Sequence, residues 1–391
     1  MITTVASAPR GANSPTAGRE QSLLATLASW LVPSFADVVY MALIVILVLA
    51  GSRIISADGD PARHIVVGRH ILSTGSIPST NVFSTSVPEA PFHPHEWLAE
   101  VASAISYDWL GAAGPALLHG VVIALAFTVL FRHLRARGHR LTSSLALTFT
   151  AAAVSSLHWI ARPHIFTFLG TAMVMALLDA FRAGRIRARI LWLLPLITAV
   201  WANFHGGYLL GLVLIATYVA ADLVRVCLGD AGKAASARSR LKMLLAVFAG
   251  CIVSVGFTPG GPLGLLRLFA YVRGSAITDN TSEFLSPNFH LASDQLFLLF
   301  LLSLIAALAF SSRRPALEEG AAVVGLVAMA LHSARYIPLA VIALTPLFAR
   351  QLETVRIRGA QNALTRLARI VAAWGQRRDE AWTRIDQTLR G

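Results

Sequence analysis

Residues 296–310 read LFLLFLLSLIAALAF and are followed at once by Ser-Ser-Arg-Arg at 311–314. An uncharged run of this kind approaches the ~20 residues needed to cross ~30 Å of hydrocarbon, and a basic pair closing it marks a cytoplasmic end. VVYMALIVILVLAG (38–51) and MLLAVFAGCIVSVGF (243–257) are runs of the same type. The whole 391-residue chain agrees, being 55% hydrophobic and 14% charged, with a mean hydropathy of +0.64. These values lie outside the soluble globular range, so the expectation is an integral membrane protein.

The formal charge of +13 would point a soluble protein toward nucleic acid, because Lys and Arg release phosphate counterions. Here the basic residues flank apolar runs instead, so no nucleic-acid partner is expected. Cys227 and Cys251 fall in or beside apolar runs and read as small apolar residues rather than a disulfide pair.

Basic clusters at Arg132–Arg140, Arg182–Arg189, Arg225–Lys242, Arg313–Arg314 and from Arg350 onward are each expected in the cytoplasm. The apolar stretch between successive clusters must then leave and return, which predicts five hairpins. The fold class is all-α, a polytopic transmembrane helical protein of about ten spans. They lie near 36–55, 114–131, 141–158, 165–182, 189–203, 207–225, 241–257, 295–311, 318–332 and 337–349. This orientation leaves only Arg53, Arg63, Arg69, Arg162, Arg267, Arg273 and Arg335 of the 33 Lys and Arg outside.

The domain reading is a cytoplasmic leader (1–35), a transmembrane domain (36–350) and a basic amphipathic cytoplasmic tail (351–391). SLLATLASWLVPSF (22–35) reads either as a surface helix or as an unstructured leader, and LTRLARIVAAW (364–374) as a helix on the anionic leaflet. Two outer loops are long, 56–113 and 258–294. Within the first, 61–72 and 95–110 have near-helical apolar spacing and read as interfacial helices. No fixed-period repeat or inverted duplication is visible. Membrane lipids are the first partners implied.

With this topology the unusual polar residues fall on the outer side. The first loop holds ADGDPARHIVVG (57–68), with Asp58, Asp60 and His64, and FHPHEWLAE (92–100), with His93, His95 and Glu96. The tight tips hold Arg162 and His164 in HWIARPHIF, Asn203 and His205 in WANFHGGYLLG, and Arg335 and Tyr336 in HSARYIP. The second long loop holds FTPGGP (257–262), then Asp279, Glu283, Asn288 and His290. Polar groups near hydrocarbon depth cost a few kcal/mol each on insertion scales, and a shared cavity is one reason to keep them.

Asp58 and Asp60 can hold a divalent cation such as Mg or Mn through oxygen ligands, or one of them can act as a base toward an acceptor hydroxyl. Asp-Gly-Asp-Pro is equally good turn chemistry. His93, His95 and Glu96 lack the i, i+4 pair of a persuasive zinc site. Arg162 and Arg335 suit a phosphate through their planar forks, or else snorkel toward lipid headgroups. No nucleophile elbow, Walker loop or dinucleotide fingerprint occurs in a suitable context.

ADGDPARHIVVGRHILSTGSIPSTNVFSTSVPEAPFHPHEWLAE (57–100), followed by ARPHIFTFL, WANFHGGYLLG and FTPGGPLG, resembles a group of bacterial multi-span proteins placed with the GT-C-type glycosyltransferases. Asp58, Asp60, His64, Gly68, Ile77, Pro78, Phe83, Ser84, His95, Glu96, Trp97 and Leu98 match the group's pattern. Ala62-Arg63 stands where the group has two tryptophans, Asn81 where an acid is expected, and Thr258-Pro259 in place of Asn-Pro.

The resemblance implies a GT-C-like fold with a long first outer loop. It implies a polyprenyl-phosphate sugar donor, and an acceptor that is a glycan, lipid or protein. It also implies a site in the bacterial inner membrane, with Asp60 as base and Asp58 second. His64, His95, Glu96, Arg162, His164, Asn203, His205, Glu283, Arg335 and Tyr336 are then expected to bind substrate. A transporter or flippase of a lipid-linked glycan, and a non-catalytic scaffold of envelope glycan assembly, are the rival expectations.

Overall fold

The computed structural model describes residues 33–56, 59–229, 231–264 and 281–355, with residues 377, 380, 381 and 384 near the C-terminus. The leader before residue 33, Asp58, Asp279 and the amphipathic stretch 364–374 lie outside the described residues. The described residues are mainly helical, with no strand beyond isolated bridges such as Thr80 with Pro91.

A helical hook opens the fold. Helix α1 (Phe35–Leu49) starts from a capping box, in which Ser34 and Asp37 each bond the other's backbone. Short α2 (Gly51–Ser56) continues it. Helix α3 (Asp60–Thr74) begins with Pro61 in its first turn and ends on Gly75, which takes φ 65°. The 76–96 segment is irregular, as its Ser, Thr and Pro content requires. Helix α4 (Trp97–Leu110) then packs on α3 so tightly that a Cβ on Gly68 would lie 2.1 Å from the Glu100 carbonyl oxygen.

Every segment expected to cross the membrane contains a helix. These are α5 (Ala113–Ala136), α6 (Leu141–Ser155), α7 (Ile165–Arg182), α8 (Leu193–Phe204), α9 (Tyr208–Leu228), α10 (Ala231–Val255), α11 (Ala292–Phe310), α12 (Leu317–His332) and α13 (Ile337–Glu353), besides α1. Four of them, α5, α7, α9 and α11, are long and apolar enough to cross a bilayer. Helix α8 is shorter because its first turns, Ala188–Trp192, are 3-10.

The core runs along α13, whose residues Ile337 to Ala349 are all buried, the pattern of a helix enclosed on every side. Around it Phe127, Phe131, Phe168 and Phe297 are fully buried. Outward faces stay apolar: Val45, Val48, Val213, Val253, Leu299, Ile305 and Val324 are exposed. Such an outer face is compatible with a lipid surrounding.

Side-chain contacts define two ends of the bundle. At one, Asp60, Arg162, His205, Glu283 and Arg335 meet. At the other, the Asp222 carboxylate is wholly buried among Arg182 (2.6 Å), Arg225 (3.2 Å) and Arg240 (3.1 Å). Glu318 shares Arg182 and Arg225 with it. Asp179 takes His133 (2.9 Å), Arg137 and Arg185, while Glu319 takes Arg137 and Arg350.

This second cluster corrects the expectation that the unusual polar residues gather on one side only. Arg182 and Arg240 reach Asp222 from other helices, and Arg225 from its own. Together they staple α7, α9, α10 and α12.

Candidate functional site

At the Asp60 end, four chain reversals and the first loop converge. The Ala161 N–H donates to the Ile54 carbonyl at 2.8 Å, which brings the 158–164 tip against the end of α2 and the start of α3. The 333–336 tip is held by Ala334 N–H to the Leu285 carbonyl (2.9 Å) and by Ser333 Oγ to the Glu283 carbonyl (3.0 Å). The His158 Nε2–H donates to the Ala334 carbonyl at 2.9 Å, so the two tips are joined.

A chain of charges crosses this junction. Asp60, with 45% of its side chain exposed, lies 3.3 Å from Arg162 Nη2. Arg162 Nη1 reaches both oxygens of Glu283 at 3.2 Å. Glu283 also accepts from Arg335 Nη1 at 3.1 Å, and Arg335 lies over the Phe284 ring at 4.9 Å. The next neighbour is His205, whose Nε2 is 3.5 Å from Arg335 Nη2 and 3.4 Å from Glu96 Oε1. Glu96 is near His95 (3.7 Å) and Arg63 (3.8 Å) as well.

Six of the expected residues, Asp60, Arg162, Glu283, Arg335, His205 and Glu96, therefore form one continuous set, with His95 at its edge. Glu96 occupies the N-cap position of α4 but its side chain makes no capping bond, being turned toward His205 instead. His164 is buried, donates its Nε2–H to the His158 carbonyl (2.9 Å), and has its ring 6.5 Å from that of His205.

The other expected residues stand apart from the ion chain. His64 is buried against Glu100, 3.4 Å away, between α3 and α4. Asn203 accepts from Trp97 Nε1 (2.6 Å) and donates to the Ala199 carbonyl (2.8 Å), pinning the start of α4 to α8. Tyr336 packs its ring against the apolar core.

Sequence reading left out Glu100, Thr167 and Trp201. Glu100 had a signal, since it lies four residues after Glu96 on one helix face and is 1% exposed on its side chain. Thr167 and Trp201 had none: they are ordinary residues of apolar helices until the fold sets them under His205.

His205 is the most constrained member. The Gly207 N–H donates to its Nδ1 at 2.9 Å, and Thr167 Oγ1 lies 2.7 Å from the same nitrogen. Trp201 Nε1–H donates to Thr167 Oγ1 at 3.1 Å. Burial, then the Arg335 guanidinium and the His164 ring, push His205 well below the ordinary histidine range. Burial, then Arg335, does the same to His164. Both imidazoles are neutral at physiological pH.

Beside the charged chain opens a cavity of about 440 Å³, walled by Ile77, Pro78, Phe92, His95, Gly206 and Tyr208 among others. Its lining is mainly apolar, and His95 and Gly206 are the neighbours in sequence of Glu96 and His205. Of the Asp58/Asp60 pair only Asp60 is placed, and its carboxylate faces a guanidinium. Among the described residues no three His, Cys, Asp or Glu side chains are grouped so as to hold a metal ion.

The arrangement can do three things. It offers an accessible carboxylate for proton transfer, two guanidiniums for an anion, and an apolar recess next to both. No protein-family model, curated protein or solved structure matches the chain.

Proposed function

We propose that this chain is an integral-membrane glycosyltransferase that moves a sugar from a polyprenyl-phosphate-linked donor to an acceptor at the extracytoplasmic face of the bacterial inner membrane. In this reading all ten long helical segments cross the bilayer and both termini are cytoplasmic. The arginine-rich Asp222 end faces the cytoplasm, as the positive-inside bias requires.

One observation carries the reading. A half-exposed carboxylate, Asp60, stands 3.3 Å from Arg162, which shares Glu283 with Arg335, and the set adjoins a largely apolar cavity. A polyprenyl phosphate needs those three surroundings at once: a cationic seat for the phosphate, an apolar recess, and a base beside the sugar.

The chemistry follows. The acceptor hydroxyl attacks the anomeric carbon with inversion and passes its proton to Asp60. The carbon–oxygen bond to the phosphate breaks, and its electron pair stays on the phosphate oxygen. Arg162 and Arg335 stabilise the charge that grows there. Glu283 keeps the two guanidiniums from repelling each other while the seat is empty of substrate.

The test is sugar transfer or donor hydrolysis by the purified full chain with a set of polyprenyl-phosphate sugars, comparing wild type, Asp60→Asn, Asp58→Asn and the double variant. Loss of turnover in Asp60→Asn with unchanged donor binding is the expected result. Full activity in the double variant would remove both carboxylates from the reaction. Transbilayer movement of a lipid-linked glycan without turnover would move the protein to the flippase class.

A further inference from the structure

His205 sits where the charged chain meets the buried histidines, and its two ring nitrogens are in unlike surroundings. Nδ1 faces the Gly207 backbone N–H at 2.9 Å. A backbone N–H can only donate and cannot rotate away, so Nδ1 must be the unprotonated nitrogen. Thr167 supports the same assignment. Its oxygen already accepts from Trp201 Nε1–H at 3.1 Å, which leaves its own hydrogen for Nδ1, 2.7 Å away.

The proton of the neutral ring is then on Nε2. Arg335 Nη2 stands 3.5 Å from that atom, and the two cannot satisfy each other because both donate. This long contact alone would favour the opposite tautomer, with Nε2 as acceptor. The shorter and rigid Gly207 contact outweighs it. Two donors thus stand side by side, and an oxygen within hydrogen-bond reach of both would accept from both. Glu96 Oε1 lies 3.4 Å from Nε2.

We propose that His205 is a neutral, tautomer-locked hydrogen-bond donor, and that its Nε2–H and Arg335 together seat the departing phosphate oxygen of the substrate. Thr167 and Trp201 are positioning residues that act through it. The proposal rests on the reading of this end of the bundle as a lipid-phosphate site, and it adds a role for His205 that excludes proton abstraction.

As the bond between the anomeric carbon and the phosphate oxygen breaks, the oxygen gains the electron pair and His205 donates a hydrogen bond without giving up its proton. Arg335, Glu96, His95, His164 and His64 are the charged or titratable groups that act on the ring. Burial and Arg335 hold its pKa down, so the donor keeps its form across the physiological range.

The experiment uses the full chain, labelled with 15N-histidine, in phosphatidylcholine nanodiscs. The His205 signals are those missing in His205→Gln. The expected spectrum has an unprotonated Nδ1 and a protonated Nε2, unchanged between about pH 5.5 and 8, where a free histidine would titrate. A protonated Nδ1, or titration in that window, would overturn the proposal.

Thr167→Val should introduce the second tautomer and Thr167→Ser should not; an unchanged Thr167→Val spectrum would remove Thr167 from the lock. Adding a long-chain isoprenyl monophosphate should shift the Nε2 signal more than inorganic phosphate does. An equal response to both would assign the seat to free phosphate, and no response to either would refute the seat.

In transfer assays His205→Ala should lose about 100-fold or more, the usual cost of one donor to a developing oxyanion. His205→Gln, which keeps an N–H near the Nε2 position, should stay within about tenfold of wild type. Full transfer in His205→Ala would sink this inference and leave the transferase reading standing. A phosphate-responsive Nε2–H in a protein that transfers no sugar would do the reverse.

Discussion

Replacing Asp222 by Asn removes one charge from the most enclosed ionic contact at the Asp222 end and leaves the side-chain shape unchanged. The carboxylate is 0% exposed and accepts from Arg182 at 2.6 Å, Arg225 at 3.2 Å and Arg240 at 3.1 Å. Glu318 is the other carboxylate bound to Arg182 and Arg225. In Asp222→Asn three guanidiniums remain with one acid, Glu318, which reaches only Arg182 and Arg225, and the new amide N–H2 adds donors where only acceptors are wanted.

Breaking a buried pair by removing one partner costs about 3–5 kcal/mol. The three arginines keep 18%, 23% and 25% of their side chains exposed, so solvent screens part of the repulsion and the lower end, about 3 kcal/mol, applies. At 1.4 kcal/mol per factor of ten, the population of open states should rise about 100-fold.

Cys251 supplies the readout. Both cysteines are free thiols, Cys251 buried on α10 and Cys227 exposed. In a Cys227→Ser background a fluorogenic thiol reagent reports only exposure of Cys251. Its labelling rate in detergent micelles should rise by about two orders of magnitude in Asp222→Asn. A rate within threefold of the parent would mean that water already solvates the cluster, and the claim that it staples four helices would be wrong.

Other expectations can be checked as directly. In Gly207→Ala the added Cβ would lie 2.2 Å from Thr167 Oγ1 and 2.8 Å from His205 Nδ1, so it should cost about 1–3 kcal/mol by thermal unfolding and weaken the His205 lock in the same 15N spectrum. His164 and His205 are held below the ordinary value of about 6.5 that they regain on unfolding. The unfolded chain therefore binds more protons below that pH, and stability should fall on acidification by up to about 1.4 kcal/mol per unit for each group; a midpoint that rises from pH 7 to 5 would contradict their burial as neutral rings. In sealed cells Cys227, at the Asp222 end of α9, should resist a membrane-impermeant thiol reagent added from outside, and ready labelling would reverse the proposed orientation.

Helix positions were legible because they depend on local pattern. Uncharged runs broken by arginine clusters mark where a chain can be helical in lipid, and each expected segment proved helical to within a few residues. The grouping of Asp60, Glu96, Arg162, His205, Glu283 and Arg335 was legible too, since alternating helix directions return every second reversal to the same end. Neither inference needed to know which helix touches which.

Contacts across the bundle were not legible. Glu283 is 121 residues from Arg162 and 52 from Arg335, and no local spacing says that one carboxylate serves both guanidiniums. Asp222 and Glu318 acquire their full set of arginines only when α7, α9, α10 and α12 come together.

Composition and charge pattern by themselves determine where the helices able to cross a membrane lie, because transfer into hydrocarbon acts on each segment separately. Only the tertiary structure decides that His205 must carry its proton on Nε2. That depends on Thr167, 38 residues away in the chain, reaching the ring at 2.7 Å with its oxygen already taken by Trp201, beside the local Gly207 N–H. A hydrogen bond is directional and short-ranged, and proximity of that kind is created by packing alone.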